Sequence, residues 1–364
     1  MFLCRLGSLN SFEQLKTSPR LCDLLGGAMP SADSLGRIFN LIDSDSIRSM
    51  IHHLYTSMKQ RKILKPPSHG WIALVIDGHE SHASYLRHCD ECLERRKRSD
   101  NQTRVQYYHR NVTAQLVFNG FRFLLDAEAQ LPGENELPPA MRLLDRVLRD
   151  YPRAFDVVVA DAMYSNNIIF QKIIRRGKHV IAVLKGNRKH IFRVAKDALG
   201  DQPPATTFER KDTIVDCWEL NKPWVPFKSP LRIVKTVERK PPIKRQLTGT
   251  EEAEPLSTWY WMTTVTADRM DVRTLVDIAH SRWSIENEGF NELSNHWHAD
   301  HVYKHASVAI LNFWLMSMVA YNLFRSFFNR NLKAVVRRGR SMLHFARMVA
   351  ADLYSAYVPT GVPP

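Results

Sequence analysis

The sequence predicts an α/β protein: a mixed sheet flanked by helices, with a β-rich insertion ahead of the last acidic helix. Three observations carry that prediction. Two continuous apolar runs, Trp71–Ile76 and Phe155–Ala160 (Asp156 apart), have the pattern of strands buried on both faces, and each is followed by an aspartate. Asn119-Gly120 separates two further β-like runs, 105–118 and Phe121–Asp126, and is a strong hairpin signal because both residues accept positive φ. Over 203–265 the helical period fades and short β-like runs replace it.

Composition bounds the rest. A chain of 364 residues that is 44% hydrophobic can bury a large core, as one domain with an insertion or as two domains. The net charge of +14 favours a polyanionic partner, nucleic acid ahead of a membrane surface. Five cysteines, odd in number and irregularly spaced, argue against a disulfide framework and for a reducing compartment. No basic region followed by an apolar run opens the chain, so no signal peptide is expected.

In order, residues 1–70 read as helical. Pro30-Ser31-Ala32-Asp33-Ser34 starts one helix and Asp43-Ser44-Asp45-Ser46 a second. The pair fits a DNA-binding helix-turn-helix or a small helical cap. The strand Trp71–Ile76 delivers Asp77; residues 81–104 read as polar and irregular, with a charge run from Glu94 to Arg98. After the hairpin, Ala140–Arg149 is an amphipathic helix. The strand Phe155–Ala160 delivers Asp161; a helix over 165–176, the strand His179–Leu184 and the polar turn Lys185-Gly186-Asn187-Arg188 follow. Within 203–265, β-like runs at Ile214–Leu220, Leu231–Val237 and Trp259–Val265 are separated by basic, proline-rich loops such as 240–245. From Val272 to Leu293 an apolar stripe at spacings of three and four predicts one helix, with Arg282 and Glu286 on or beside the stripe. Ala306–Phe328 is apolar enough to raise a membrane span, but Asn312, Ser317, Asn322 and Arg325 favour a helix buried in protein. A basic tail closes the chain.

Asp77, Asp161 and Glu286 form the main chemical constellation; each aspartate alone equally fits a strand-end or cap residue, and the combination is more specific than any member. A carboxylate on an apolar stripe is costly unless paired or metal-bound, and an Arg282–Glu286 pair has the poorer helical order. Three converging acids can hold two divalent ions about 3.5–4 Å apart for phosphodiester chemistry. Magnesium suits an all-oxygen set.

Four blocks, LVIDGHESHASY, VVVADAMYSNNIIF, HVIAVLKGNR and RWSIENEGFNEL, resemble in this order the DDE transposases of bacterial insertion sequences. They are most similar to the group whose third acid lies in a helix with a Tyr–Arg–Glu–Lys signature. The resemblance implies a ribonuclease-H-like core in two parts, 71–202 and 266–330, around the insertion 203–265. The helical region 1–70, a DNA-binding module or a small helical cap, precedes this core, and the basic tail 331–364 follows it. It implies that Asp77, Asp161 and Glu286 are the catalytic, metal-ligating acids and that Arg282 is the signature arginine. It implies two Mg2+ ions, with Mn2+ able to substitute, and double-stranded DNA as partner, at transposon ends and at the target. It implies a homodimer on DNA, in the bacterial cytoplasm and at the nucleoid when bound, with no membrane partner. The activity implied is cutting at transposon ends and joining of the 3′-hydroxyl to target DNA. The signature tyrosine falls at Ala279 and the lysine at Leu293, or at Ser294 if the spacing relaxes by one; His280, His296 and His298 lie nearby. That departure keeps a second reading open, an inactive or repurposed DNA-binding protein, beside a third, a metal-dependent nuclease of the same fold.

Other clusters are less specific. Cys89-x-x-Cys92 with His109 downstream has the ligand types of a zinc knob, but a single pair also fits reduced packing cysteines, so zinc is the lesser reading. Lys185, Arg188 and Lys189 follow a strand beside the acids and suit phosphate contact or an ordinary solvated loop. Trp259 and Trp261 suit strand-core packing ahead of base stacking. His79, Glu80 and His82, beside Asp77, read as exposed polar loop residues ahead of contacts to the metal shell.

Overall fold

The computed structural model describes residues 2, 5–99, 102–200, 202–224, 229–240 and 256–354. Cys4, loop residues 241–245 and residues 355–364 of the basic tail lie outside these. Four helices lead: α1 (Leu9–Glu13), α2 (Pro19–Leu25), α3 (Ala32–Leu41) and α4 (Ser44–Gln60). Ser31 and Asp43 cap α3 and α4 by accepting the amide protons of Ser34 and Asp45. Then come β1 (Ala73–Ser84), β2 (Leu93–Ser99), β3 (Gln102–Phe118), β4 (Phe121–Ala129), α5 (Leu137–Asp150), β5 (Val157–Ala160), α6 (Asn167–Ile174), β6 (His179–Val183) and α7 (Lys189–Leu199). The strands β7 (Thr206–Arg210), β8 (Thr213–Trp224), β9 (Ser229–Arg239) and β10 (Leu256–Thr263) follow. α8 (Val272–His280), a π-helical segment (Ile285–Phe290), α9 (Asn291–Trp297), α10 (Ser307–Arg330), α11 (Ala334–Arg337) and α12 (Met342–Tyr354) complete the chain. The fold is mixed α/β, and the backbone divides into two compact units.

The first unit holds Met1–Pro66, Asp77–Val147 and Ile285–Pro364. Its strands β2, β3 and β4 are antiparallel. Gly120, at φ 65°, closes the β3–β4 hairpin where Asn119-Gly120 predicted it. The charge run Glu94–Arg98, expected to be irregular, is the edge strand β2. Charged side chains on an edge keep foreign strands from pairing with it, so polarity there is compatible with strand. α10 packs on α3, α4 and β4. By length and composition it could cross a membrane, yet 72% of its apolar window is buried in protein. Its polar residues have interior partners. Asn322 accepts the Leu124 amide at 3.0 Å and donates to the Leu124 carbonyl at 2.8 Å. Asn312 donates to the Phe39 and Ile42 carbonyls, both at 2.8 Å, and accepts from Ser44.

The second unit holds Pro67–Ile76 and Leu148–Ser284. The first four residues of β1 pair in parallel with β5, and β5 in parallel with β6. β10 then pairs antiparallel with β6, and β9, β8 and β7 extend the sheet antiparallel. The β-rich run therefore joins the sheet through Trp261, Met262 and Thr263 opposite Val183, Ala182 and Ile181. β7 was not expected: its alternation is masked by exposed Thr206, Thr207 and Glu209. Apart from half-buried His179, the residues of these parallel pairings are buried, as continuous apolar runs require.

Candidate active site

Asp161 follows the last residue of β5 and caps a short turn, Ala162–Tyr164, without bonding it through the side chain. Its Oδ1 is buried and has no hydrogen-bond donor among the described residues; Lys185 Nζ stands 3.6 Å away. The turn after β6 is tied to the turn after β5. Asn187 donates to the Ala162 carbonyl at 2.6 Å, and Arg188 Nε donates to the Ser165 carbonyl. Arg188 is thereby spent on the backbone, whereas Lys185 and Lys189 are exposed. Oxygen donors with a lysine at the carboxyl ends of parallel strands form the place where open α/β sheets bind ligands.

Asp77 follows Ile76, whose register partner is Ala160, the residue before Asp161. Asp77 Oδ1 accepts the Gly78 amide at 2.9 Å. His79, Glu80 and His82 belong to β1 rather than to a loop. His79 shares a strand face with Asp77. It stacks against Phe290 and Trp314 at centroid distances of 4.7 and 5.0 Å, lies 2.7 Å from Asp300 Oδ1, and meets Ser294. The helical segment that carries Glu286 thus packs against the part of β1 that carries Asp77.

That segment differs from the expected single helix. α8 stops at His280, a turn follows at Ser281–Arg282, and Ile285–Phe290 is π-helical before α9 begins. The turn and the wider coil reset the register, so Glu286 is exposed rather than on the buried stripe. π-helical insertions gather at functional sites. The Glu288 carbonyl there accepts from the Tyr321 hydroxyl at 3.0 Å. Gly289 lets the segment approach β3 and β4; a Cβ on it would stand 2.8 Å from Gln115 Oε1. Arg282, in the second unit, is buried with its guanidinium 4.6 Å over the Trp283 ring. Ala279 and Leu293, at the signature tyrosine and lysine positions, are both 0% exposed. His280 is held 2.6 Å from Glu238, while His298 is exposed. Trp261 is core, and Trp259 packs edge-on against Trp283 at 4.8 Å.

Cys89, Cys92 and His109 come together, and His305 joins them, with ligand atoms all within 4.8 Å of one another. No sequence pattern pointed to His305, which lies 213 residues from Cys92. Burial, reinforced by His305 and His82, holds the His109 imidazole down to about 4, so its nitrogen lone pair is available. Burial pushes the Cys92 thiol up to about 11.

Among solved structures, the chain is similar to the crystal structure of the NurA nuclease from Sulfolobus solfataricus. The identity is 12%, the match covers 79% of this chain and 96% of that one, and the TM-score is 0.28. No curated protein matches the chain. Residues 73–323, which include both strand-end aspartates and the π-helical glutamate, match the transposase DDE domain model, and the chain belongs to that family.

Proposed function

We propose that this protein is the transposase of a bacterial insertion sequence, of the Tyr–Arg–Glu–Lys group. It would cut phosphodiester bonds at transposon ends and join the freed 3′-hydroxyl to target DNA. The observation that carries the proposal is the register pair Ile76–Ala160 on parallel strands, from which Asp77 and Asp161 follow directly. With Glu286 they are the proposed ligands of two Mg2+ ions, Mn2+ being able to substitute. The donors fit: all are carboxylate oxygens, and Asp161 Oδ1 is buried without a donor. Such ions supply an activated attacking oxygen and neutralise charge on the leaving oxygen. The core, 71–202 with 266–330, is proposed as ribonuclease-H-like, with 203–265 as its insertion.

The chain's own residues do the rest. Arg282, its guanidinium 4.6 Å over the Trp283 ring, is the proposed residue for positioning the third acid or gripping a phosphate. Exposed Lys185 and Lys189 take backbone phosphates, which fixes the scissile bond without reading sequence. In the first step water attacks phosphorus and the P–O bond to the 3′ oxygen breaks, leaving a 3′-hydroxyl. In the second, that hydroxyl attacks a target phosphodiester and displaces another 3′ oxygen. Two ends must be held together, so a homodimer on DNA is the working form, in the cytoplasm and at the nucleoid. Residues 1–70 and the basic tail 331–364 are its proposed further DNA contacts.

The test is an in vitro reaction with Mg2+ or Mn2+ and the element's own terminal repeats. Wild type cuts at the ends; Asp77→Asn, Asp161→Asn and Glu286→Gln bind the ends but do not cut. Undiminished cutting by any one variant removes that residue from the triad. The buried Ala279 and Leu293 favour a second reading, a DNA-binding protein that has lost catalysis, because neither position can offer a side chain to phosphate. Binding by wild type with no cutting under either metal would select it. Cutting without joining would select a nuclease instead.

A further inference from the structure

We infer that Cys89, Cys92, His109 and His305 form a structural zinc site, separate from the acidic site. Cys89 and Cys92 lie in the turn between β1 and β2, His109 on β3, and His305 in the link between α9 and α10. All belong to the first unit.

Geometry is the main argument. Zinc binds thiolate sulfur at about 2.3 Å and imidazole nitrogen at about 2.0–2.1 Å, so tetrahedral neighbours stand roughly 3.3–3.8 Å apart. The two sulfurs are 3.7 Å apart. His109 Nε2 is 3.4 Å from Cys89 Sγ and 3.3 Å from Cys92 Sγ, and His305 Nε2 is 3.3 Å from Cys92 Sγ. These four separations are those of tetrahedral neighbours, and all four ligand atoms lie within 4.8 Å of one another.

The surroundings agree. Cys89 donates its amide to Cys92 Sγ at 3.3 Å, a contact that stabilises a thiolate and orients it. Cys92 and His109 are each 6% exposed, and four protein ligands leave no open position, so the site is structural rather than catalytic. A disulfide does not account for it: the sulfurs are far beyond the roughly 2.05 Å of an S–S bond, and two histidines would have no reason to converge on them. Two soft sulfurs with two imidazoles select zinc over magnesium, so the site does not compete with the carboxylates for their ion. Its mechanical effect is to pin the β1–β2 turn to the link that follows the Glu286 helical segment.

The test uses the full chain, purified without a metal-chelating tag. Elemental analysis should find about one zinc per chain. Exchange with Co2+ should give the visible bands of a tetrahedral site and thiolate-to-metal charge transfer in the near ultraviolet. His305→Ala and Cys92→Ser should lose the metal, whereas His305→Cys should keep a tetrahedral cobalt spectrum, which separates ligation from misfolding. Asp77→Asn should bind zinc as wild type does, which separates this site from the acidic one. A wild type that melts cooperatively without zinc and gives no cobalt spectrum would overturn the assignment. So would a Cys89–Cys92 disulfide in its place, or unchanged zinc retention by His305→Ala.

Discussion

Gly78 owes its identity to a carboxylate. A Cβ there would come 2.5 Å from Glu136 Oε1, and Glu136 is buried and bound to Arg110 at 3.1 Å. Gly78→Ala should therefore cost about 1–3 kcal/mol in urea unfolding, since the pair must shift within a packed site. Cys217 makes a chemical prediction. It is 0% exposed, and burial, with Glu219, Glu238 and Asp216 around it, pushes its thiol up to about 12. Iodoacetamide should leave it unmodified in the native protein and label it after unfolding, as read by peptide mass spectrometry. Single residues were unevenly legible in the sequence. Asp77 and Asp161 stood out because each directly follows an apolar run. Cys89 and Cys92 announced themselves by spacing, but His305 did not, because the ligand set closes only through tertiary structure. Glu286 was singled out on the premise of burial, and its exposure removes that premise.

At the scale of elements, β4 is held from two sides by polar groups. Asn322 of α10 bonds both backbone groups of Leu124. Asn322→Leu leaves two buried main-chain groups unpaired and should destabilise by about 2–4 kcal/mol, measured by denaturant titration. Asp126 of β4 is bound by Arg48 of α4 at 3.0 Å and by Arg146 of α5 at 2.7 Å. Asp126→Asn removes the charge that balances two largely buried guanidiniums and should cost about 3–5 kcal/mol. Elements with a clean period were legible: the hairpin, α5, and the parallel strands. The helix over 272–293 was misread because its apolar spacing survives a turn and a π-helical stretch that no residue type marks. β2 was missed because an edge strand needs no apolar face.

At the scale of the molecule, the net charge of +14 sets how it meets DNA. Double-stranded DNA binding should weaken steeply with salt, with log K falling by roughly 0.9 per phosphate neutralised for each unit of log salt. Lys185→Ala and Lys189→Ala should each flatten that slope by about 1 in fluorescence anisotropy, if each neutralises one phosphate. The α/β class was legible because its buried strands need continuous apolar runs. Each compact unit is assembled from separated stretches of chain. The Asn322–Leu124 bridge has a consequence in time. Its partners are 198 residues apart, so at about 5–20 residues per second a ribosome needs roughly 10–40 s to deliver the second after the first. Through that interval the nascent Leu124 amide and carbonyl wait on water or on a chaperone, and a message broken ahead of α10 would release a chain that can never complete the bond.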